Sequence, residues 1–243
     1  MSTTRRLGVI VPSTNVAVED EYNQMRASGV SFHAGRITIT NEALDGDDAF
    51  ESFLVDLRTQ ISRAVQDVVS CRPDHLVMGM SAETFWGGAE GADEFQRGVE
   101  EESGLEVTTG AQACRAALEL YGVRRIGVIT PYQPVGDEQV RRFFADLGYE
   151  VAAVYGLRSP TATSIVDEPP GRIEAAFRAV DAPEIDALLQ AGTNLQAVAT
   201  AAKLEQELGK PVIAINAATL WHAYRTIGVT EQLAGFGDLL EHH

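Results

Sequence analysis

Positive charge is what this chain has least of. Its 19 Lys and Arg face 35 Asp and Glu, and lysine occurs only at 203 and 210. The net charge of −16 argues against a nucleic-acid partner, because such partners are held by clustered Lys and Arg. Cysteine is almost as scarce. Cys71 and Cys114 are the only two and have neither a disulfide framework nor metal-ligand spacing, while His33, His75 and His222 are scattered, so no metal site is expected. Long apolar runs are missing too. Nothing approaches the roughly 20 residues of a bilayer span, and Met1 to Arg6 do not lead into a signal-peptide core, so a cytoplasmic protein with no membrane partner is expected. The terminal Leu240-Glu-His-His243 reads as the start of an affinity tag and is set aside from functional reasoning.

What is present is a rhythm of short Val- and Ile-rich runs alternating with longer helical patterns, the signature of parallel sheets with helices on their faces. Strands are expected near 7–12, 30–38, 75–80 and 105–108, then near 125–130, 150–155, 186–191 and 211–216. Helices are expected near 16–27, 93–102, 110–121, 136–146, 171–180, 195–208 and 218–227. The clearest helix falls between the second and third strands, where Phe50, Phe53, Leu54, Leu57, Ile61, Ala64, Val65 and Val68 recur on one face; it should end by Arg72, ahead of Pro73. The halves echo each other. Leu7-Gly-Val-Ile-Val-Pro-Ser-Thr-Asn15 is answered by Ile126-Gly-Val-Ile-Thr-Pro-Tyr132, and Gly79-Met-Ser81 by Ala191-Gly192-Thr193. Residues 1–110 are therefore read as a first α/β lobe, onto which the C-terminal helix can pack, and 111–239 as a second. Because open parallel sheets bind ligands beyond the carboxyl ends of their strands, the repeated endings should meet in one cleft.

Those endings are polar. Ser13, Thr14 and Asn15 follow the first strand where a helix opens, a position that favours an anion and equally suits a plain helix cap. Ser81 follows the third strand, and Thr193 with Asn194 follow the seventh. Gly79-Met-Ser81-Ala-Glu83 matches a nucleophile elbow only in part, since the final glycine is missing. His33 is read either as a general base or as a hydrogen-bonded core histidine, and Arg36, three residues along the same strand, as a carboxylate clamp. Tyr132 occupies the second half's strand-to-helix corner, where its hydroxyl can donate to a substrate oxygen. Thr84-Phe-Trp-Gly-Gly88-Ala-Glu-Gly91 suits a loop that closes over a small ligand, or a rigid packed turn. It is not a dinucleotide fingerprint, for Pro12 to Asn15 stand where that motif's glycines would.

Val11-Pro-Ser-Thr-Asn15, Phe32-His33-Ala-Gly-Arg36, the Pro131-Tyr132 corner and the order of elements resemble the maleate cis-trans isomerases, which group with arylmalonate decarboxylases in the aspartate/glutamate racemase superfamily. The likeness runs through nearly the whole chain. It implies two Rossmann-like lobes, each with a four-stranded parallel sheet, related by a pseudo-twofold axis and enclosing a small carboxylate without any cofactor. It implies carboxylate-binding roles for Asn15 and Tyr132. It also implies that the two lobes' cleft cysteines are replaced here by Ser81 and Gly192, and an amide after the sixth strand by the stretch Ala162 to Ser164. A thiol ionises near pH 8.5 and a serine hydroxyl is far less acidic, so thiol-dependent chemistry is not expected.

Three functions follow, in order of preference. The first is a cofactor-independent isomerase or lyase of a small carboxylic acid, with Ser13, Asn15, Ser81, Tyr132, Thr193 and Asn194 stabilising an enediolate-type intermediate and Tyr132 or His33 moving the proton. The second is a hydrolase of a small amide, imide or ester using Ser81, with His33 or Glu83 as base. The third is an inactive carboxylate-binding protein. Substrate-binding residues are taken as Pro12, Ser13, Thr14, Asn15, Arg36, Gly192, Thr193 and Asn194. The oligomeric state is left open, with a homo-oligomer allowed.

Overall fold

The computed structural model describes residues 4–243. Two parallel four-stranded sheets organise it. The first contains β1 (Arg5–Pro12), β2 (Val30–Ile37), β3 (His75–Met78) and β4 (Val107–Thr108) in the order β2-β1-β3-β4. The second contains β5 (Arg125–Thr130), β6 (Glu150–Gly156), β7 (Ala187–Gln190) and β8 (Val212–Ala214) in the matching order β6-β5-β7-β8. Around them lie α1 (Ala17–Gln24), α2 (Asp47–Val69), α3 (Gly88–Ser103), α4 (Gly110–Tyr121), α5 (Pro134–Asp146), α6 (Pro170–Val180), α7 (Val198–Leu208), α8 (Ile215–Thr226) and α9 (Asp238–His242).

Burial follows position in the sheet. Every residue of the inner strands β3 and β7 is buried, as helices on both faces require, whereas the outer strands β2 and β6 alternate with exposed positions. The repeated strand endings coincide in detail. Gly79 N–H donates to Ile10 O at 2.7 Å in one sheet, and Ala191 N–H donates to Ile129 O at 2.9 Å in the other. All four corners therefore lie on the same side of their sheets, at the carboxyl ends.

Contacts between the lobes frame the space beyond these corners. The segment before α2 reaches across, with a bridge between Ala43 and Thr161 and a 2.8 Å bond from Leu44 N–H to Pro160 O. Helices α2 and α3 pack on α5. α8 follows the second sheet yet packs against α1, α4, β3 and β4 of the first half.

The structure corrects one expected boundary and decides one open alternative. The eighth strand stops at Ala214 and α8 begins at once, because Gln190 Oε1 accepts Ile215 N–H at 3.3 Å and starts the helix. The Thr84–Gly91 stretch is a packed turn: a 3-10 turn spans Glu83–Phe85, α3 already starts at Gly88, and Phe85 is fully buried against Phe143 and Phe144. Leu240, read as the first tag residue, is itself fully buried.

Candidate active site

The cleft between the lobes is lined on its polar side by Thr14, Asn15, Ser81, Tyr132, Thr193 and Asn194. Its apolar side comprises Leu44, Phe50, Phe53, Leu54, Leu57, Met80 and Ile165. The cavity itself measures about 60 Å3, which restricts its occupant to a small molecule.

Ser81 and Tyr132 meet across the lobes at 2.6 Å, and Ser81 Oγ also accepts Thr193 N–H at 2.9 Å. The two hydroxyls share one bond and so leave one O–H unspent, whichever of them donates. Burial pushes the Tyr132 phenol up, against the smaller opposing effect of its Ser81 bond, so it remains a neutral donor. Its backbone is held from behind. Tyr132 N–H donates to Thr130 Oγ1 at 3.1 Å, Thr130 is bonded to Asp137, and Arg158 pairs with Asp137 at 2.6 Å while donating to Tyr132 O.

Asn15 is both a cap and a wall residue. Its Oδ1 accepts Val18 N–H at 3.1 Å, and its Nδ2 donates to Thr193 Oγ1 at 3.1 Å. Asn194 joins the lobes: Oδ1 accepts Val16 and Ala17 N–H at 3.1 and 3.3 Å, and Nδ2 donates to Ala162 O at 2.9 Å and Thr14 O at 3.3 Å. Behind Thr193, Asn216 Nδ2 donates to Thr193 O at 2.9 Å and to the buried Glu21 at 2.5 Å. Nothing in the local pattern around Glu21 or Asn216 signals this link, which forms only when α1 and α8 come together.

Gly192 lines the cleft at φ +146, and a Cβ there would stand 2.4 Å from Pro131 Cδ. Pro12 also lines the cleft. Ser13, His33 and Arg36 lie outside the lining. Ser13 Oγ accepts Ile39 N–H at 3.2 Å, His33 Nε2 bonds Ser31 Oγ at 3.0 Å on the outer strand, and the exposed Arg36 pairs with Glu19. The placement of His33 and Arg36 follows from β2 being an edge strand whose side chains alternate between the neighbouring helices and solvent.

Neither cysteine reaches the lining either. Cys71 sits in the turn after α2, and Cys114 is buried in α4 with its thiol pushed up by burial. The charged member of the lining is Glu83, one of the two candidate bases of the hydrolase reading, which pairs with Arg58 at 2.6 Å. Among the described residues no group of three or more His, Cys, Asp or Glu could hold a metal ion, and no helix is long and apolar enough to cross a membrane.

The arylmalonate decarboxylase family model matches residues 7–240. The chain belongs to that family. An arylmalonate decarboxylase of Bordetella bronchiseptica is 27% identical over 99% of this chain and 98% of its own length. A maleate isomerase of Pseudomonas putida is 24% identical over 99% and 98%. In fold, the chain matches a cysteine-to-serine mutant of the Nocardia farcinica maleate cis-trans isomerase with a covalently bound succinylcysteine intermediate. The TM-score is 0.89, with 23% identity over 98% of this chain and 99% of that one. The family thus contains both isomerases and decarboxylases, and its members share the paired four-stranded sheets.

Proposed function

We propose that this family member is a cofactor-independent enzyme that decarboxylates a small carboxylic acid bearing an apolar substituent, through an enediolate-type intermediate. The observation that carries the reading is the opposition of one unspent O–H, on the Ser81–Tyr132 pair, to a wall of Leu44, Phe50, Phe53, Leu54 and Leu57. Negative charge develops on the retained carboxylate as CO2 departs, and a fixed donor in a water-poor site stabilises that charge without reorganising. The apolar wall removes the substituent from water at about 25 cal/mol per Å2, binding energy that also orients the breaking C–C bond.

Decarboxylation is favoured over the isomerisation of the maleate relatives. One of those carries its intermediate on a cysteine, whereas Cys71 and Cys114 lie outside this cleft. Ser81 and Gly192 take the places the resemblance assigns to thiols, and Gly192 leaves no room for a Cβ. A serine hydrolase is the weaker reading, because the partners of Ser81 Oγ are a neutral phenol and a peptide N–H, neither of them a base.

The test is a mass-spectrometric screen in D2O of malonates carrying aryl and alkyl groups. Loss of CO2 with one deuterium gained at carbon is expected, and Ser81→Ala and Tyr132→Phe should each lower turnover by about 10²–10³-fold. Water addition to esters or amides, abolished by Ser81→Ala, would replace this reading with the hydrolase. Binding of the same acids without turnover by the wild type would leave a carboxylate-binding protein.

A further inference from the structure

The enediolate needs a proton at carbon, and the donors described so far do not supply one. Among the described residues lining the cleft, the titratable side chains are Tyr132 and Glu83. Tyr132 holds its proton more firmly than a free phenol, and its hydroxyl is engaged with Ser81. We infer that Glu83 is the acid that protonates the carbanionic carbon, with Arg58 as its positioning residue; this rests on the decarboxylase reading above.

The geometry around Glu83 separates its two oxygens. Oε1 accepts Arg58 Nε at 2.6 Å, while Oε2 is buried without a hydrogen-bond partner. The residue as a whole is 6% exposed, so a bare carboxylate oxygen there would forfeit its hydration. A proton on Oε2 removes that penalty, and Oε1 keeps the charge-assisted bond to Arg58. Burial raises the carboxyl's proton affinity as the leading effect and Arg58 opposes it. Arg58 from α2 is the charged group that faces Glu83, and Tyr132 from the second lobe is the other titratable group of the cleft.

Donor and acid are mounted on one rigid piece of backbone. Thr84 N–H and Thr84 Oγ1 both donate to Ser81 O, at 2.9 and 2.8 Å, and Trp86 N–H closes the 3-10 turn on Glu83 O at 3.1 Å. Arg58 is fixed in turn, its guanidinium 5.9 Å from the Trp86 ring centroid.

The step balances without a co-reactant. The C–C bond breaks and its electrons pass into the enediolate as CO2 leaves. The enediolate returns that pair to carbon to form a C–H bond with the proton of the Glu83 carboxyl, whose Oε2 must turn out of the wall to deliver it. Glu83 is left as a carboxylate paired with Arg58 and regains a proton from water when the product departs.

Phenylmalonate in D2O is the first probe, with phenylacetate as a non-reacting ligand. Glu83→Gln preserves size and the acceptor for Arg58. It should lower kcat by about 10²–10⁴-fold, the contribution of a positioned general acid, while phenylacetate affinity and the melting temperature change little. Arg58→Met removes the opposing cation, so the alkaline limb of the pH–rate profile should move to higher pH, a shift that loss of packing alone would not produce. A Glu83→Gln enzyme that turns over at the wild-type rate overturns the assignment. Infrared titration gives a readout that does not depend on a substrate. In the wild-type-minus-Glu83→Gln difference spectrum, from which the protonated carboxyl of Glu21 cancels, a protonated carboxyl band should persist above pH ~5, where an ordinary Glu is ionised, and shift when phenylacetate binds. If the wild type decarboxylates nothing, the functional reading falls while this band still decides Glu83: its presence and response to ligand uphold an acid in the cleft, and its absence overturns one.

Discussion

The two lobes share a strand order and a set of corners, yet they are latched to each other unequally. Each lends a side chain to the first helix of the other. Asn194 of the second half caps α1 through Val16 and Ala17 N–H, and Asp47 of the first half caps α5 through Val135 N–H at 2.9 Å. Asn194 is 6% exposed and its amide is fully engaged, whereas Asp47 stands in solvent. The same asymmetry runs through the cleft. The first lobe offers the side chain of Ser81, while the second answers with the phenol of Tyr132 and, at Gly192-Thr193, a backbone N–H. A repeat in topology therefore does not make a repeat in energetics, because the value of a hydrogen bond depends on how much water its loss would readmit.

Removing the buried latch should do the most damage. Asn194→Ala leaves buried Ala17 N–H and Ala162 O unpaired and is expected to cost about 3–5 kcal/mol, measured by urea denaturation, with loss of carboxylate binding. Asp47→Ala should cost only ~0.5–1 kcal/mol, as exposed caps do. Equal losses from the two variants would remove the asymmetry.

The pH dependence of stability probes the same interface next. Burial raises Glu21 to about 7 from an ordinary 4.5, despite the opposing bonds from Asn216 and Val198 N–H. The folded state thus holds this proton more tightly than the unfolded chain does. Its stabilisation is fully present below pH ~4.5 and is lost as pH rises through 7, by roughly 3 kcal/mol. Glu21→Gln should flatten that slope when denaturation is compared at pH 5 and pH 8; an unchanged slope would place the titration elsewhere.

Gly192→Ala comes third. It forces a Cβ against Pro131 at a backbone angle that disfavours side chains, for about 2–3 kcal/mol, and should weaken ligand binding by shifting Thr193 N–H. Smallest is His33→Ala, expected to leave turnover within experimental error because the ring lies outside the cleft. A large loss there would restore His33 as a participant.

These contrasts show how far a linear reading reaches. The inner strands were legible because parallel strands buried on both faces are short, apolar and Val/Ile-rich, and two of the four corners were legible because Pro12 and Pro131 mark them. The α2 stripe from Phe50 to Val68 reads as one face, but it does two jobs. Phe50, Phe53, Leu54 and Leu57 line the cleft, while Ile61, Ala64, Val65 and Val68 pack in the first lobe's core. Helical periodicity reports that a face is covered and is silent about what covers it.

By itself, then, the sequence determined the paired parallel sheets and the polar residues after Pro12, Met80 and Ala191, since hydrophobic period and strand termination are local properties. Only the tertiary structure decided which polar groups work together. It set His33 and Arg36 on an edge strand away from the cleft, joined Ser81 to Tyr132 across 51 positions, and buried Glu83 in the cleft wall with one oxygen unpaired. Those outcomes depend on how two lobes dock, and docking is fixed by contacts far apart in the chain that no local pattern encodes.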